Sequence, residues 1–470
     1  MKVSVENILN EFASFTSSLQ NFNEPQLISF AFNLQITNAL LITDKLNELS
    51  SDIFLFRIPN NKLTVFGFNS ALELNPNEAI NFASVSANYN FWKKNCTNNW
   101  DKKNILNKFI LCCSAKFDNL NSTKEWNDFE PLRLYIPEFL LTFQNAGVSG
   151  SYNFVTDSKA SFEIVSDKLL SFLKKLSTIY ENLVQTSEQE AFITSDSAVN
   201  EWEKWNALAS KALAHLSNGS IEKLVLSRAY NFNVNATLMW SILLNKLFKR
   251  FPDCYLFYIK KNNSVFFGSS PEMFLKVSDN IADVESVAGS APRGEKLESD
   301  YELERLLKTS EKNHQEHLFV SEFISDILIQ YSNNVRIIEE KQIRKLDNIQ
   351  HLITKISAEL NSKENLFELI DSLFPTPAVC GVPKESAMKL IRKLESHDRG
   401  LYSGLVGIMN FEGNCELAVS IRSALVKENH VTAFAGAGLV KNFNADEEFL
   451  ETNLKLNTIL SLFTDENKSK

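Results

Sequence analysis

Two apolar double runs constrain the fold of this chain more than any other feature. Residues Ile53–Phe68 read IFLFRIP, then Asn60-Asn61, then KLTVFGF; Tyr255–Val277 repeats the device with YLFYI, the turn residues Asn262-Asn263-Ser264, and SVFFGSS. Short aromatic and β-branched runs flanking turn residues form hairpins, so antiparallel pairing is expected. Further strands are expected around Leu224–Tyr230, Leu401–Met409, Glu416–Leu425 and His430–Phe434. Between them the apolar residues recur at helical spacing over Ser166–Leu183, Ala198–Leu216, Leu238–Phe248, Tyr301–Ile329, Ala387–Glu395 and Glu447–Phe463. Hairpins interleaved with long helices predict an α+β fold. Residues 70–150 are polar and weakly periodic, and no element is placed there.

No internal repeat, low-complexity tract or Pro/Gly/Ser linker divides the 470 residues, so one intimate unit is expected rather than separate beads. With 14 Gly and 11 Pro, the turns must lean on Asn and Asp. The 57 acids against 48 bases leave a net charge of -9 without a clustered basic stripe, which excludes nucleic acid as the default partner. The N-terminus lacks a continuous apolar segment and no run of about 18 apolar residues occurs, so neither a signal peptide nor a membrane span is expected. Six scattered cysteines without a CxxC pair suit a reducing compartment, and a cytoplasmic enzyme is the expectation.

Several polar residues fall on apolar faces. Alternation places Lys223 with Ile221, Val225, Ser227 and Ala229 on one strand face. Burial disfavours an ammonium, which is how a lysine becomes a general base near neutral pH, although this strand alone favours a lysine that reaches solvent at an edge. Glu316 precedes Val320, Phe323 and Ile327 on a helical stripe, so its carboxylate needs a divalent cation or a basic side chain as partner. The nearby His314 and His317 match no zinc pattern, and zinc is not expected. In the last helix Glu448, Glu451 and Lys455 share a polar stripe, which read alone is a surface ion-pair row. Just before it, Gly436 and Gly438 in FAGAGLV can leave backbone N–H groups open to an anion. Arg422, inside the expected strand ELAVSIRSALV, wants a carboxylate from the protein or from a ligand.

Collinear over roughly the last 260 residues, the chain resembles the chorismate-utilising enzymes. The marks are KLVLSR (Lys223–Arg228), FFGSSPEMFL (Phe266–Leu275), VAGSAPRG (Val287–Gly294), SEKNHQEH (Ser310–His317) and IQHL (Ile349–Leu352). They continue with FPTPAVCGVP (Phe374–Pro383), DRGLYSGLVG (Asp398–Gly407), SIRSAL (Ser420–Leu425), AFAGAGLV (Ala433–Val440) and EEFLETNLK (Glu447–Lys455). The resemblance implies a single domain over 1–470, with two antiparallel sheets and helices outside. Residues 1–195 would be the variable half contributing to the sheets and 202–463 the chorismate-binding catalytic region.

The resemblance also implies a Mg²⁺-dependent reaction on chorismate. Ammonia-using branches usually lack a lysine where Lys223 stands, whereas isochorismate and salicylate synthases keep one to activate water. No glutaminase domain accompanies the chain, and Ala378 and Val379 in PTPAVCG are similar to the isochorismate branch. Isochorismate synthase is therefore expected, in a menaquinone or catechol-siderophore pathway, as a monomer without a glutaminase partner or membrane association. Salicylate synthase and a non-catalytic chorismate-binding relative are the alternatives. The implied roles are Lys223 as base toward water, Glu272 as acid toward the departing hydroxyl, and Glu316 and Glu451 as metal ligands with Glu448 in support. Arg422, Tyr402, Gly436 and Gly438 are implied to hold the enolpyruvyl carboxylate, His351 the ring, and Gly289 and Ser290 the ring carboxylate. Ala378, Val379, Ile421 and Phe434 are implied to line the site, with Lys455 offsetting charge. Asn313 stands where many relatives carry an acid, which predicts weaker Mg²⁺ binding.

Overall fold

The computed structural model describes the chain except for residues 1–4, 20–21, 35–42, 44, 47–48, 62, 75–80, 101–109, 121–122, 145–146, 157–161, 182–190, 197–199, 236–237 and 464–470. Both hairpins form. Asp52–Ile58 pairs with Leu63–Phe68 around Asn60 at φ 62°, and Tyr255–Lys261 pairs with Ser264–Ser270 around Asn262 at φ 54°. Asparagine is among the few side chains that enter this left-handed region readily, so the scarcity of glycine is met as expected. The hairpins lie side by side, with Phe56 opposite Phe257, at the centre of a thirteen-stranded sheet.

On one flank this sheet continues through Ser423–Lys427, His430–Val440, Lys223–Val234 and Ile193–Asp196, and on the other through Phe139–Gln144, Gly147–Thr156, Gln26–Leu34 and Cys96–Asn98. A nine-stranded second sheet runs Ser332–Lys345, Ile349–Leu360, Ile281–Pro292, Met273–Ser278, Cys415–Val419, Leu405–Met409, Leu111–Ala115, Leu132–Ile136 and Leu72–Glu73. Among the described residues the pairing is antiparallel apart from Gln26–Leu34 against Cys96–Asn98, which is parallel. The fold is thus α+β with two large sheets and peripheral helices.

The sheets face each other across Phe54, Phe56, Phe257, Phe266 and Phe434 from the large sheet and Tyr135, Val406, Ile408 and Ala418 from the second. The opposite face of the large sheet is covered by helices Val5–Ser18, Phe162–Glu181, Trp240–Arg250 and Ala445–Leu460. Glu311–Tyr331 and Leu366–Leu373 cover the outer face of the second. No helix among the described residues is long and apolar enough to cross a membrane. Double coverage explains residues 70–150. The strands Leu111–Ala115, Leu132–Ile136 and Phe139–Gln144 are buried on both faces and show no alternation to read.

Two expected elements are interrupted and one is shortened, each next to an expected site residue. The helix over Tyr301–Ile329 is two helices, Leu297–Thr309 and Glu311–Tyr331, because Ser310 is extended and its hydroxyl caps the second helix by accepting from Asn313 N. The buried line of that second helix runs His317, Val320, Ile324 and Leu328, one position round from the expected stripe, which puts Glu316 on its border. The strand expected over Leu401–Met409 begins only at Leu405. The strand expected over Glu416–Leu425 is Cys415–Val419 of the second sheet and Ser423–Lys427 of the large one, so Arg422 is not inside a strand; it sits at φ 54° where the chain changes sheet.

A second crossing runs beside it. The chain leaves the large sheet after Ser270, passes through Pro271-Glu272 and joins the second sheet at Met273. The crossings hydrogen-bond to each other, Val419 N to Glu272 O at 3.1 Å and Ser269 N to Arg422 O at 3.1 Å. A Cβ on Gly268 would lie 2.6 Å from Arg422 O. Gly268→Ala is therefore expected to cost about 1–3 kcal/mol by overpacking; urea unfolding checks this, as a lower midpoint with an unchanged m-value.

Candidate active site

The two crossings open onto a cavity between the sheets. Its inner chamber, about 70 Å³, is lined by Glu272, Gly289, Ser290, Glu316, His351, Ala378, Val379, Tyr402, Ile421, Arg422, Phe434, Gly436, Gly438, Glu451 and Lys455, all expected site residues. Pro271, Val225, Val287, Ala288, Ser403 and Ala435 complete the lining. A wider chamber of about 330 Å³ shares Ser290, Glu316 and Glu451 with it and adds Glu448, Lys312 and Asn313. Ala288 and Gly289 lie at the bulge in Ile281–Pro292, and Gly289, at φ 80°, faces Asn313, whose Cβ would be 3.1 Å from an added Cβ.

Lys223 does not line the cavity. It begins the strand Lys223–Val234, is fully buried, and its Nζ lies 3.1 Å from Glu316 Oε1 without an aligned hydrogen bond. The expectation of a solvent-reaching edge lysine is thereby corrected: neighbouring strand His430–Val440 and the short strand Gly381–Val382 both pair with it, leaving no edge. The ammonium is covered by the Glu316 carboxylate, which does face the cavity. Gly438 makes room for the pair, since a Cβ there would lie 2.1 Å from Glu316 Oε1 and 3.2 Å from Lys223 Cε.

The other two acids also hold lysines. Glu451 pairs with Lys455 at 2.5 Å, and Glu448 hydrogen-bonds Lys312. The surface-row reading of this helix fails, because Glu448 is 3% exposed. Burial and the neighbouring Glu451 charge raise the proton affinity of Glu448. Burial pushes Glu451 the same way, but Lys455, Lys312 and Arg422 outweigh it and hold Glu451 below the ordinary carboxylate range. Among the described residues, no group of three or more acid, histidine or cysteine side chains stands as a preformed metal cluster. The donor chemistry nonetheless fits a hard divalent ion: four carboxylates, Glu316, Glu447, Glu448 and Glu451, border one chamber, and repulsion from Glu451 and Glu316 shows in Glu448.

Glu272, on the first crossing, is 5% exposed, and burial followed by the charge of Glu285 pushes it up to about 7. Arg422, on the second, is 4% exposed and has no carboxylate partner among the described residues. It donates instead from Nη2 to His351 Nε2 at 3.0 Å. Arginine cannot accept, so Nε2 is the bare nitrogen, and the proton sits on Nδ1, directed at Ser290 Oγ 3.0 Å away. Burial, Arg422 and Lys455 hold the ring neutral, far below its usual range. Tyr402 stacks on Phe434 with centroids 5.2 Å apart, and burial pushes its hydroxyl up to about 12.

Gly436 lies in the ladder opposite Ser227, but its carbonyl accepts from Lys455 Nζ at 2.9 Å. In an antiparallel strand a residue's N–H and C=O point the same way. The Gly436 amide therefore turns from that ladder toward the edge left open where Ser423–Lys427 begins, as an anion-binding role requires.

Two residues inside quoted stretches had no role assigned from sequence. Arg399 pairs with Glu395 through 2.9 and 2.6 Å bonds and donates to the carbonyls of Val379 and Val225, both at 2.8 Å, bracing two walls of the cavity. His317 bonds Thr354 Oγ1 at 2.7 Å and Ala288 O at 3.3 Å, and burial lowers it to about 4, so it is a buried structural tie with both ring nitrogens engaged.

Residues 13–464 match the family model described as "Chorismate binding enzyme". The chain belongs to that family. It is 25% identical to the isochorismate synthase MenF of Bacillus subtilis over 455 residues, 95% of each protein. It is 34% identical to anthranilate synthase component 1 of Saccharolobus solfataricus over 257 residues, 54% of this chain and 61% of that one. The solved structure of the menaquinone-specific isochorismate synthase MenF of Escherichia coli superposes with a TM-score of 0.77 at 20% identity, covering 97% of this chain and all of that one, which establishes the shared fold.

The room left by Gly438 is taken up by the Glu316 and Lys223 side chains. Gly438→Ala displaces only the end of a flexible side chain, so it is expected to leave stability within about 1 kcal/mol while forcing Lys223 and Glu316 apart. Thermal unfolding together with a crystal structure of the variant checks both halves.

Proposed function

We propose that this chorismate-binding family member is an isochorismate synthase, adding water at C2 of chorismate with loss of the C4 hydroxyl. The observation that carries the reading is the fully buried Lys223 side chain directly behind Glu316, which faces the cavity, and close enough to Glu272 to act on its charge. A desolvated amine suits removal of a proton from water; an ammonia-using enzyme has no need of that base. Arg422 supports the substrate class, because a buried cation without a carboxylate partner is satisfied by an anionic ligand.

In this reading the substrate's enolpyruvyl carboxylate lies against Arg422, Tyr402 and the Gly436 amide, and its ring carboxylate lies toward Gly289, Ser290 and the acids. His351, neutral and locked between Arg422 and Ser290, orients the cation without adding charge. Glu316 must swing off Lys223 before the amine meets water, so base exposure and rearrangement of the acid row are coupled. Lys223, as the neutral amine, then takes the proton of the attacking water while its oxygen bonds to C2 and the ring double bonds shift, and Glu272 delivers its own proton to the C4 hydroxyl, which leaves as water. Mg²⁺ held by Glu316, Glu451 and Glu448 would supply a hard cation that neutralises the ring carboxylate. The pathway inferred for the product is menaquinone biosynthesis, in keeping with the MenF relatives.

Purified protein with chorismate and Mg²⁺ is expected to yield isochorismate, and EDTA to stop it; salicylate with pyruvate as the product would replace this reading by salicylate synthase. Lys223→Ala should lower turnover by about 10²–10⁴-fold with an unchanged circular dichroism spectrum, and wild-type rates would place the base elsewhere. For Glu272 the sign is set by its role: the acid works protonated, so its contribution to kcat/KM should be full below pH 7 and fall as pH rises through about 7. An alkaline limb absent from the pH–rate profile would remove Glu272 as the acid.

A further inference from the structure

Glu272 is carried by a two-residue crossing with no strand ladder of its own, and a feature outside the cavity fixes its height. Arg344, on the edge strand Ser332–Lys345, donates from Nη1 to the Pro271 carbonyl at 2.6 Å. The same guanidinium grips Glu285 through two 2.7 Å bonds, Nη1 to Oε2 and Nη2 to Oε1. That edge strand is otherwise largely exposed, whereas the Glu285 side chain is 7% exposed. Such a pair is expensive to bury for stability alone. Register adds to the case: Arg344 stands opposite His351, and His351 opposite Ser290, so the row of cavity side chains extends one strand further and ends on the Pro271 carbonyl. Pro271 is the wall between the substrate cavity and a separate polar cavity of about 600 Å³ onto which Glu285 and Arg344 open.

We propose that Arg344 and Glu285 are positioning residues for the acid, the bidentate pair clamping the Pro271 carbonyl so that Glu272 is held at the level of the departing hydroxyl. This rests on the reading of Glu272 as the acid. Behind Glu272 the pair also presents two opposed charges: Glu285 favours the protonated carboxyl and Arg344 opposes it. From the cavity side Lys223 and Lys455 act on Glu272, and Arg422 shares its field. Glu316 and Glu451 are each held by one of those lysines. His351 is neutral and Tyr402 stays protonated, so Glu285 and Arg344 are the charges that can be changed without touching the cavity.

The test is the pH dependence of kcat and kcat/KM in Glu285→Gln, Arg344→Gln and their double variant, with Glu272→Gln alongside. Glu285→Gln should move the alkaline limb down by about half a pH unit or more, Arg344→Gln should move it up by a similar amount, and the double variant should return toward wild type. Arg344→Gln should also lower kcat at least ~10-fold through misplacement of the acid, with KM for chorismate changed less than kcat. Arg344→Lys keeps the charge and loses the fork, so it should lower kcat without moving the limb; it serves if Arg344→Gln does not fold. Limbs that stay in place, or move together, would overturn the positioning role while an inactive Glu272→Gln left the acid reading standing. An active Glu272→Gln would overturn both.

Discussion

Two chain segments change sheets at the same place, and the site depends on that coincidence. A strand that leaves its sheet abandons its ladder partners, and its buried backbone groups must be satisfied elsewhere. Here each crossing satisfies the other, through Val419 N to Glu272 O and Ser269 N to Arg422 O, and Gly268 permits the approach. Of the side chains at the crossings, Ile421 packs on the apolar clusters, whereas Glu272 and Arg422 do not. Glu272 and Arg422, an acid and a cation, line the cavity between the sheets instead. The left-handed backbone of Arg422 belongs to the same turn, so strain, register and function share one location.

Among the described residues around the crossings, the buried cations are held in opposed pairs with one exception. Lys223, Lys455 and Lys312 each hold one of Glu316, Glu451 and Glu448, and Arg399 holds Glu395 behind the opposite wall. Pairing of this kind makes buried charge tolerable but contributes little net stability, which suits groups that must exchange partners during a reaction. Arg422 is the exception, turned toward a neutral histidine instead of a carboxylate. An unmatched positive charge beside a paired acid row gives the cavity a direction, and an anion entering it is oriented by that asymmetry before any chemistry occurs.

Much of this was legible in the sequence. The hairpins were, because Asn turns between apolar runs leave few alternatives, and so were the long helices, whose solvent faces keep a period of 3.6. The residues lining the cavity were reached through the family motifs and not through physical patterning. Read alone, Lys223 suggested an edge, Glu448 a surface row, and Arg422 a strand interior. Residues 70–150 were unreadable because strands covered on both faces lose the alternation that marks a strand.

The sequence by itself determined element type, the α+β class and membership of a chorismate-binding family, since these follow from local periodicity, turn chemistry and collinear motifs. Only the tertiary structure decided which charges are buried and what they face: that Lys223 lies behind Glu316, that the Glu416–Leu425 run splits between two sheets, and that Arg344 reaches under Pro271. Burial and charge pairing are set by neighbours tens to hundreds of residues away in the chain, and no local pattern encodes them.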